Sequence, residues 1–159
     1  MASPRFIVDL NVGRLAKWLR ITGYDALFVP GIEDGKLVRL AQEEGRIVLT
    51  RDRFIMRRRM VTTGELRALL IESESLEDQL RQVVETYHLN TQEGFSRCIE
   101  CNVSLVDVTR EQVQERVPPF VFQTQEEFME CPSCQKLYWR GTHWHNMLKE
   151  LAVIGEVQL

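Results

Sequence analysis

The chain has 159 residues, enough for one ordinary domain or two small ones. Hydrophobic residues make up 44% and charged residues 27% of it, as is normal for a globular protein with a packed core. No stretch approaches the ~20 consecutive apolar residues of a transmembrane helix, so no membrane contact is expected. The first residues lack the apolar segment of a signal peptide, which favours a cytoplasmic location with reduced thiols.

Short apolar runs alternate with amphipathic segments in the first half of the chain. Strands are predicted at 6–8, 26–29, 47–49 and 68–71. Helices are predicted at 11–22, 34–44 and 75–87, with a short helix or loop at 53–60. Asp34 is the expected N-cap of the second helix, and Ser75 with Asp78 resembles a capping box for the last. The alternation predicts a parallel α/β sheet with helices on both faces.

The net charge of −3 conceals an asymmetry along the chain. Residues 1–60 hold 12 Lys and Arg against 7 acids and so carry +5, whereas the remainder holds 8 against 16 and carries −8. A basic segment suits a polyanionic partner such as nucleic acid, although a merely solvated surface would have the same composition.

All four cysteines fall in two Cys-x-x-Cys pairs, Cys98 with Cys101 and Cys131 with Cys134. Two such turns can present four thiolates to one tetrahedral Zn²⁺, and a shell closed by four sulfurs indicates a structural metal. Four free thiols or a redox pair are the less favoured alternatives. Elements become short and irregular near residue 92, so we predict an α/β domain at 1–92 and a metal-stapled ribbon with a C-terminal tail at 93–159.

Aromatic residues follow the last cysteine, at Tyr138, Trp139 and Trp144, interleaved with Arg140 and histidines. They could stack on unpaired bases, or they could pack the ribbon and cover its metal. Packing is the favoured interpretation for most of them.

Three aspartates lie at or after the carboxyl ends of predicted strands: Asp9, Asp34 and Asp52. Side chains at these ends meet at one edge of a parallel sheet. Clustered carboxylates repel each other unless they hold a hard cation such as Mg²⁺ or Mn²⁺, which could activate water and neutralise a phosphate. Simple helix capping would equally account for each aspartate alone.

Several segments together carry a family pattern. They are Phe6-Ile-Val-Asp9 with Gly13-Arg-Leu-Ala-Lys-Trp-Leu-Arg20, Asp34-Gly-Lys-Leu-Val-Arg-Leu-Ala41, Glu44-Gly-Arg-Ile-Val-Leu-Thr-Arg-Asp52, Cys131-Pro-Ser-Cys134, and Tyr138-Trp-Arg-Gly-Thr-His-Trp144. The combination resembles the PIN-like ribonuclease family named after the C-terminal domain of the mutator-seven exonuclease, with its zinc ribbon, over residues 5–148.

The resemblance implies a PIN-like Rossmannoid sheet followed by a four-cysteine zinc ribbon. It further implies a Mg²⁺- or Mn²⁺-dependent ribonuclease, with Asp9, Asp34 and Asp52 as metal-binding and catalytic residues and single-stranded RNA as substrate. The candidates for a fourth acid are Glu72 and Glu74, and Asn11 could supplement the site. Basic residues expected to contact RNA are Arg14, Lys17, Arg51, Arg53, Arg57 and Arg58. The alternative function is a non-catalytic RNA-binding or ribosome-associated module.

Overall fold

The computed structural model of the protein describes residues 3–91 and 96–141, together with residues 145, 146 and 149. Its first part is a four-stranded parallel sheet with the strand order β2-β1-β3-β4. The strands are β1 (Phe6–Val8), β2 (Ala26–Leu27), β3 (Ile47–Thr50) and β4 (Ala68–Leu70). The predicted parallel α/β fold is therefore confirmed, although the second strand is shorter than the apolar run at 26–29 suggested.

Five α-helices connect or follow these strands. They are α1 (Arg14–Ile21), α2 (Asp34–Glu44), α3 (Arg53–Met56), α4 (Arg59–Thr62) and α5 (Leu76–Tyr87). The left-handed Gly45 ends α2 as predicted. The side chain of Ser75 caps α5 by accepting from the Asp78 amide, but the other half of the predicted capping box is not formed, because the Ser75 amide donates to the Ser73 hydroxyl at 3.0 Å. The helix predicted at 11–22 starts later, because a 3-10 turn at Leu10–Val12 precedes Gly13.

One expectation about local structure is wrong. Glu33, and not Asp34, is the N-cap of α2, and it makes no capping hydrogen bond through its side chain. Asp34 is instead the first residue of the helix. Its carboxylate is therefore not tied to the end of its own helix, so it can turn toward the neighbouring strand ends.

Helices cover both faces of the sheet. Side chains alternate along each strand, so neighbouring residues of one strand pack against helices on opposite faces. Phe6 and Val8 of β1 pack with α1 and α5 on one face, whereas Ile7 packs with α2 on the other. In β3, Leu49 and Val48 divide between the two faces in the same way. Among the described residues, no helix combines the length and apolar content needed to cross a bilayer.

The C-terminal part contains a three-stranded antiparallel sheet in the order β5-β6-β7. Its elements are β5 (Val106–Val108), α6 (Arg110–Val113), α7 (Pro119–Thr124), β6 (Phe128–Glu130) and β7 (Leu137–Trp139). Val113, Val117 and Phe128 form a small core of its own. Cys98, Cys131 and other residues near the cysteines instead belong to the larger core shared with β1 and α1. The division of the chain near residue 92 stays a prediction.

Candidate functional site

The strand order creates a natural place for a site between β1 and β3. The chain passes from β1 to β2 on one side, and then returns to place β3 on the other side of β1. In open parallel sheets, such a reversal leaves a crevice at the carboxyl ends of the two strands. Asp9 follows β1 directly and Asp52 lies two residues beyond the end of β3, so both flank this crevice.

The carboxylate of Asp9 is buried and held from both sides. Its Oδ1 accepts from the amide of Leu10 at 2.8 Å, and its Oδ2 accepts from the hydroxyl of Thr50 at 2.6 Å. The same Thr50 oxygen accepts from the amide of Asp52 at 2.9 Å. A fully buried threonine thus connects the two strand ends and fixes the orientation of Asp9.

Asp52 is half-buried and caps α3 through a 2.8 Å hydrogen bond that its Oδ1 accepts from the Phe54 amide. One carboxylate oxygen each from Asp9, Asp34 and Asp52 lies within 4.8 Å of the others. Capping and convergence therefore occur together, because each carboxylate oxygen has two lone pairs and capping occupies only one. The arrangement could hold a metal ion.

Crowding of these acids shows in the protonation of Asp34. Partial burial raises the pKa of its carboxyl group, and the negative charges of Asp52 and Asp9 raise that pKa further. The positive charge of Arg58 acts in the opposite direction. A bound cation would remove the repulsion that raises this pKa.

Removal of the Thr50 hydroxyl should destabilise the site. In Thr50→Val, the buried Asp9 carboxylate and the Asp52 amide each lose a hydrogen-bond partner, so we expect the free energy of unfolding to fall by about 1–3 kcal/mol. Thr50→Ser retains the hydroxyl and should lose less. Urea denaturation of both variants measures this difference, and equal stability of Thr50→Val and the parent protein would contradict the bridging role.

The candidates for a fourth acid do not join this group in the described structure. Glu72 and Glu74 are exposed, and Arg51 turns toward them: it donates to the Glu72 carbonyl at 3.3 Å and pairs with Glu74 at 3.7 Å. Asn11 accepts from the Arg51 amide at 3.2 Å through its Oδ1, so it braces the end of β3. The acid group that could hold an ion consists of three aspartates within the described residues.

The six predicted basic residues lie on different elements of the sheet domain. Arg53, Arg57 and Arg58 are exposed in the segment directly after Asp52. Arg14 and Lys17 are exposed on α1. Because Arg51 already contacts the end of β4, it is the least available of the six to a ligand. Contact of these side chains with nucleic acid stays a prediction.

The four cysteines converge in a second group, with one sulfur each within 4.8 Å of the others. The Cys98 and Cys134 sulfurs are 3.8 Å apart. Four ligands at ~2.3 Å from a tetrahedral ion are about 3.8 Å from each other, so the donors fit a zinc-like shell. The predicted cysteine cluster is therefore confirmed, and it has the arrangement of a zinc ribbon.

The two Cys-x-x-Cys turns have the same backbone geometry. The amide of Cys101 donates to the Cys98 sulfur, and that of Cys134 to the Cys131 sulfur, each at 3.4 Å. Each turn ends in a residue with left-handed backbone, Asn102 at φ 61° and Gln135 at φ 63°. Paired turns of this kind direct four sulfurs to one point.

Sulfur protonation reflects the same crowding. Burial would raise the pKa of Cys98, but hydrogen bonds from the Tyr138 hydroxyl and nearby backbone amides lower it to about 7. A hydrogen bond with the Cys134 sulfur raises the pKa of Cys101 to about 12. The Cys98 thiolate thus forms readily, whereas the raised pKa values of Cys101 and Cys134 oppose ionisation of these two thiols, and a bound cation would overcome that opposition.

The first cysteine turn is attached to the parallel sheet domain by polar contacts. Arg20 donates to the Ile99 carbonyl at 2.7 Å and to the Ala26 carbonyl at 2.9 Å. The side chain of Asn102 accepts from the Ala26 amide at 3.0 Å and donates to Asp25 at 2.6 Å. The turn therefore sits against the amino end of β2, and its folding is coupled to that of the sheet.

Two of the aromatic residues after Cys134 pack against hydrophobic cores, as the favoured interpretation predicts, Tyr138 buried and Trp139 half-buried. Tyr138 is buried, and its hydroxyl lies 3.2 Å from the Cys98 sulfur and 3.1 Å from the donating Ile99 amide. Trp139 packs against Phe128 in the small C-terminal core. Trp144 and His143 lie outside the described residues.

A family model described as the Mut7-C RNAse domain matches residues 4–151, nearly the whole chain. The chain belongs to this family. Membership confirms the resemblance inferred from the motifs, and it indicates an RNase-like nuclease with RNA as the class of substrate. No curated protein and no solved structure matches the chain significantly.

Sequence reasoning missed two groups in this Mut7-C domain. Thr50 directly follows the predicted strand at 47–49, and no motif assigns a role to its hydroxyl, which connects the Asp9 carboxylate to the Asp52 amide. Asn102 follows a Cys-x-x-Cys pair, and an asparagine there is a recognisable signal because Asn tolerates left-handed backbone better than most residues. The partners of its side-chain amide, Asp25 and Ala26, are more than 70 residues away in the chain, so local sequence does not predict them.

Proposed function

We propose that the protein is a divalent-metal-dependent endoribonuclease that cleaves single-stranded RNA, with Asp9, Asp34 and Asp52 as the ligands of Mg²⁺ or Mn²⁺. The observation that carries the proposal is the convergence of these three carboxylates at the crevice between β1 and β3. The family match supports the substrate class and the nuclease-type reaction.

The donor set suits a hard cation. All three side chains offer carboxylate oxygen, which Mg²⁺ and Mn²⁺ prefer. In an octahedral Mg²⁺ shell with bonds of about 2.1 Å, adjacent ligands are about 3.0 Å and opposite ligands about 4.2 Å apart. The three carboxylate oxygens, within 4.8 Å of each other, are close enough that side-chain rotation could bring them to one ion. Three carboxylates leave the remaining positions to water and phosphate oxygen.

Each side chain has a distinct task in this proposal. When bound, the cation would lower the pKa of water and neutralise charge on the phosphate. Asp9, held by Thr50 and the Leu10 amide, gives a rigid ligand. Asp34 and Asp52 are more exposed and can adjust. Arg53, Arg57 and Arg58 would attract the phosphates of RNA toward the acids.

The cysteine group would hold a structural Zn²⁺, away from the chemistry. Four thiolates complete a tetrahedral shell and leave no position for substrate. The tetrahedral spacing of the Cys98 and Cys134 sulfurs supports this assignment. We further propose that the protein works in the cytoplasm, where zinc thiolates persist without forming disulfides.

A circular single-stranded RNA provides the decisive test, because only an endonuclease can open it. We expect the purified, zinc-loaded protein to linearise the circle when Mn²⁺ or Mg²⁺ is added, and to leave it intact in buffer without either ion. Metal-free cleavage, or no cleavage of circular and linear RNA under any divalent metal, would refute the proposal. Cleavage of linear RNA only would refute its endonucleolytic part.

A second candidate is a non-catalytic RNA-binding module. It is favoured by the position of Glu72 and Glu74 outside the acid group, which leaves three acids among the described residues where a typical PIN domain offers four. In that case RNA binding should fall with rising salt and should survive loss of the three aspartates. Cleavage of the circle would exclude this candidate.

A further inference from the structure

Two large apolar side chains are exposed beside the acids. Phe54 retains 74% and Leu10 retains 62% of its accessible surface, although most large apolar residues of the sheet domain are buried. When a ligand covers an exposed aromatic ring, removal of the ring surface from water contributes favourable binding free energy. An exposed ring at a candidate active site therefore suggests that part of a substrate covers it.

Both residues are tied to the acid group through their own backbone. The amide of Phe54 donates to Asp52 Oδ1 at 2.8 Å, and the amide of Leu10 donates to Asp9 Oδ1 at 2.8 Å. Each exposed side chain thus starts from a backbone position in direct contact with a proposed metal ligand. A phosphate at the acids would bring its own nucleotide, or the next one, within reach of these side chains.

Positively charged side chains around Phe54 suit a negatively charged nucleotide better than an apolar ligand. The guanidinium of Arg57 lies over the Phe54 ring, 5.6 Å from its centre. Arg53 and Arg58 are exposed in the same short segment. A ring with adjoining cations can stack on a base while the cations contact the flanking phosphates, the combination that single-stranded nucleic acid requires.

We propose that Phe54 is a substrate-binding residue on which an unpaired base next to the scissile phosphate stacks, with Leu10 as an apolar contact on the Asp9 side. The inference rests on the proposed ribonuclease function and deepens it, since only an unpaired base can present its face to the ring. In this proposal, stacking on Phe54, and not hydrogen bonds to base edges, makes the protein prefer single-stranded to duplex RNA.

The test compares binding of short single-stranded RNA oligonucleotides, each with an abasic nucleotide at a different position, in Ca²⁺ to limit cleavage. We expect one abasic position to weaken binding to the parent protein by about 5- to 100-fold, the range for one stacked base. Phe54→Ala should weaken binding of intact RNA by a similar factor and should lose sensitivity to that abasic position. Phe54→Trp should keep both.

Phe120→Ala is the matched control, because Phe120 is 73% exposed on α7 in the C-terminal part, outside the acid group. It should bind intact and abasic RNA like the parent protein. Unchanged binding by Phe54→Ala, an abasic effect that persists in this variant, or no RNA binding by the parent protein would overturn the proposal. If stacking is found but neither circular nor linear RNA is cut, the ribonuclease function fails, and Phe54 remains a stacking residue of an RNA-binding module.

Discussion

Asp52→Asn is expected to lower the rate of RNA cleavage by about 1,000-fold while leaving the protein folded. Loss of one anionic ligand weakens the hold on the cation, whose contribution to phosphate chemistry is several kcal/mol, and each 1.36 kcal/mol corresponds to a factor of ten in rate. Asparagine is as good an N-cap as aspartate, so α3 should keep its start at the Phe54 amide. Single-turnover cleavage at saturating RNA measures the effect.

When no divalent ion is bound to the acids, the same substitution should not lower the thermal stability of the protein. Asp52 adds to the repulsion that raises the pKa of Asp34, so neutralising it removes a destabilising interaction. We expect the Tm of zinc-loaded Asp52→Asn, in buffer without Mg²⁺ or Mn²⁺, to equal or exceed that of the parent protein. Addition of Mn²⁺ should then raise the Tm of the parent more than that of the variant.

Asp107→Asn provides the matched control for this substitution. Asp107 is an exposed aspartate on β5 and is not one of the three acids that converge. Its neutralisation should change neither cleavage nor the response of Tm to Mn²⁺. Cleavage by Asp52→Asn at the rate of the parent protein would disprove the role of the acid group in catalysis.

Removal of the metal from the four cysteines should have the largest effect on stability. Structural Zn²⁺ contributes apparent binding energies of about 10–16 kcal/mol in zinc-finger peptides, as large as the total stability of most domains. Cys98 and Cys131 are completely buried in the core that also contains Phe6 and Leu19. Loss of the metal should therefore loosen the sheet domain as well as the ribbon.

The measurement is thermal unfolding under reducing conditions, with zinc content determined on the same sample. We expect one Zn²⁺ per chain, a large fall in Tm on treatment with a strong chelator, and recovery with Zn²⁺ but not with Mg²⁺. Cys98→Ser should resemble the stripped protein, whereas Ser133→Ala, between two ligands, should retain its zinc. A reduced protein that lacks zinc and keeps its Tm after chelation would contradict the assignment.

Local patterns made much of the fold predictable. A buried parallel strand needs a continuous apolar run, and a helix needs apolar residues at a period of 3.6, so the order of elements could be inferred directly. Gly45 and Ser75 act as helix boundaries through interactions within a few residues of themselves. The end of β2 and the start of α2 are less predictable. Pairing with β1 ends β2 at Leu27, and the backbone conformation of Glu33 places the N-cap one residue before Asp34.

The amino-acid sequence alone determined the parallel α/β architecture, the family, and the two cysteine pairs, because periodicity, motif and ligand spacing are local properties of a chain. Only the tertiary structure decided which acids meet. Asp34 joins Asp9 and Asp52 because of the strand order, whereas Glu72 and Glu74 stay outside the group. The places of Thr50 and Asn102 were likewise beyond the sequence, since a hydrogen bond between distant residues depends on how the strands and turns pack together.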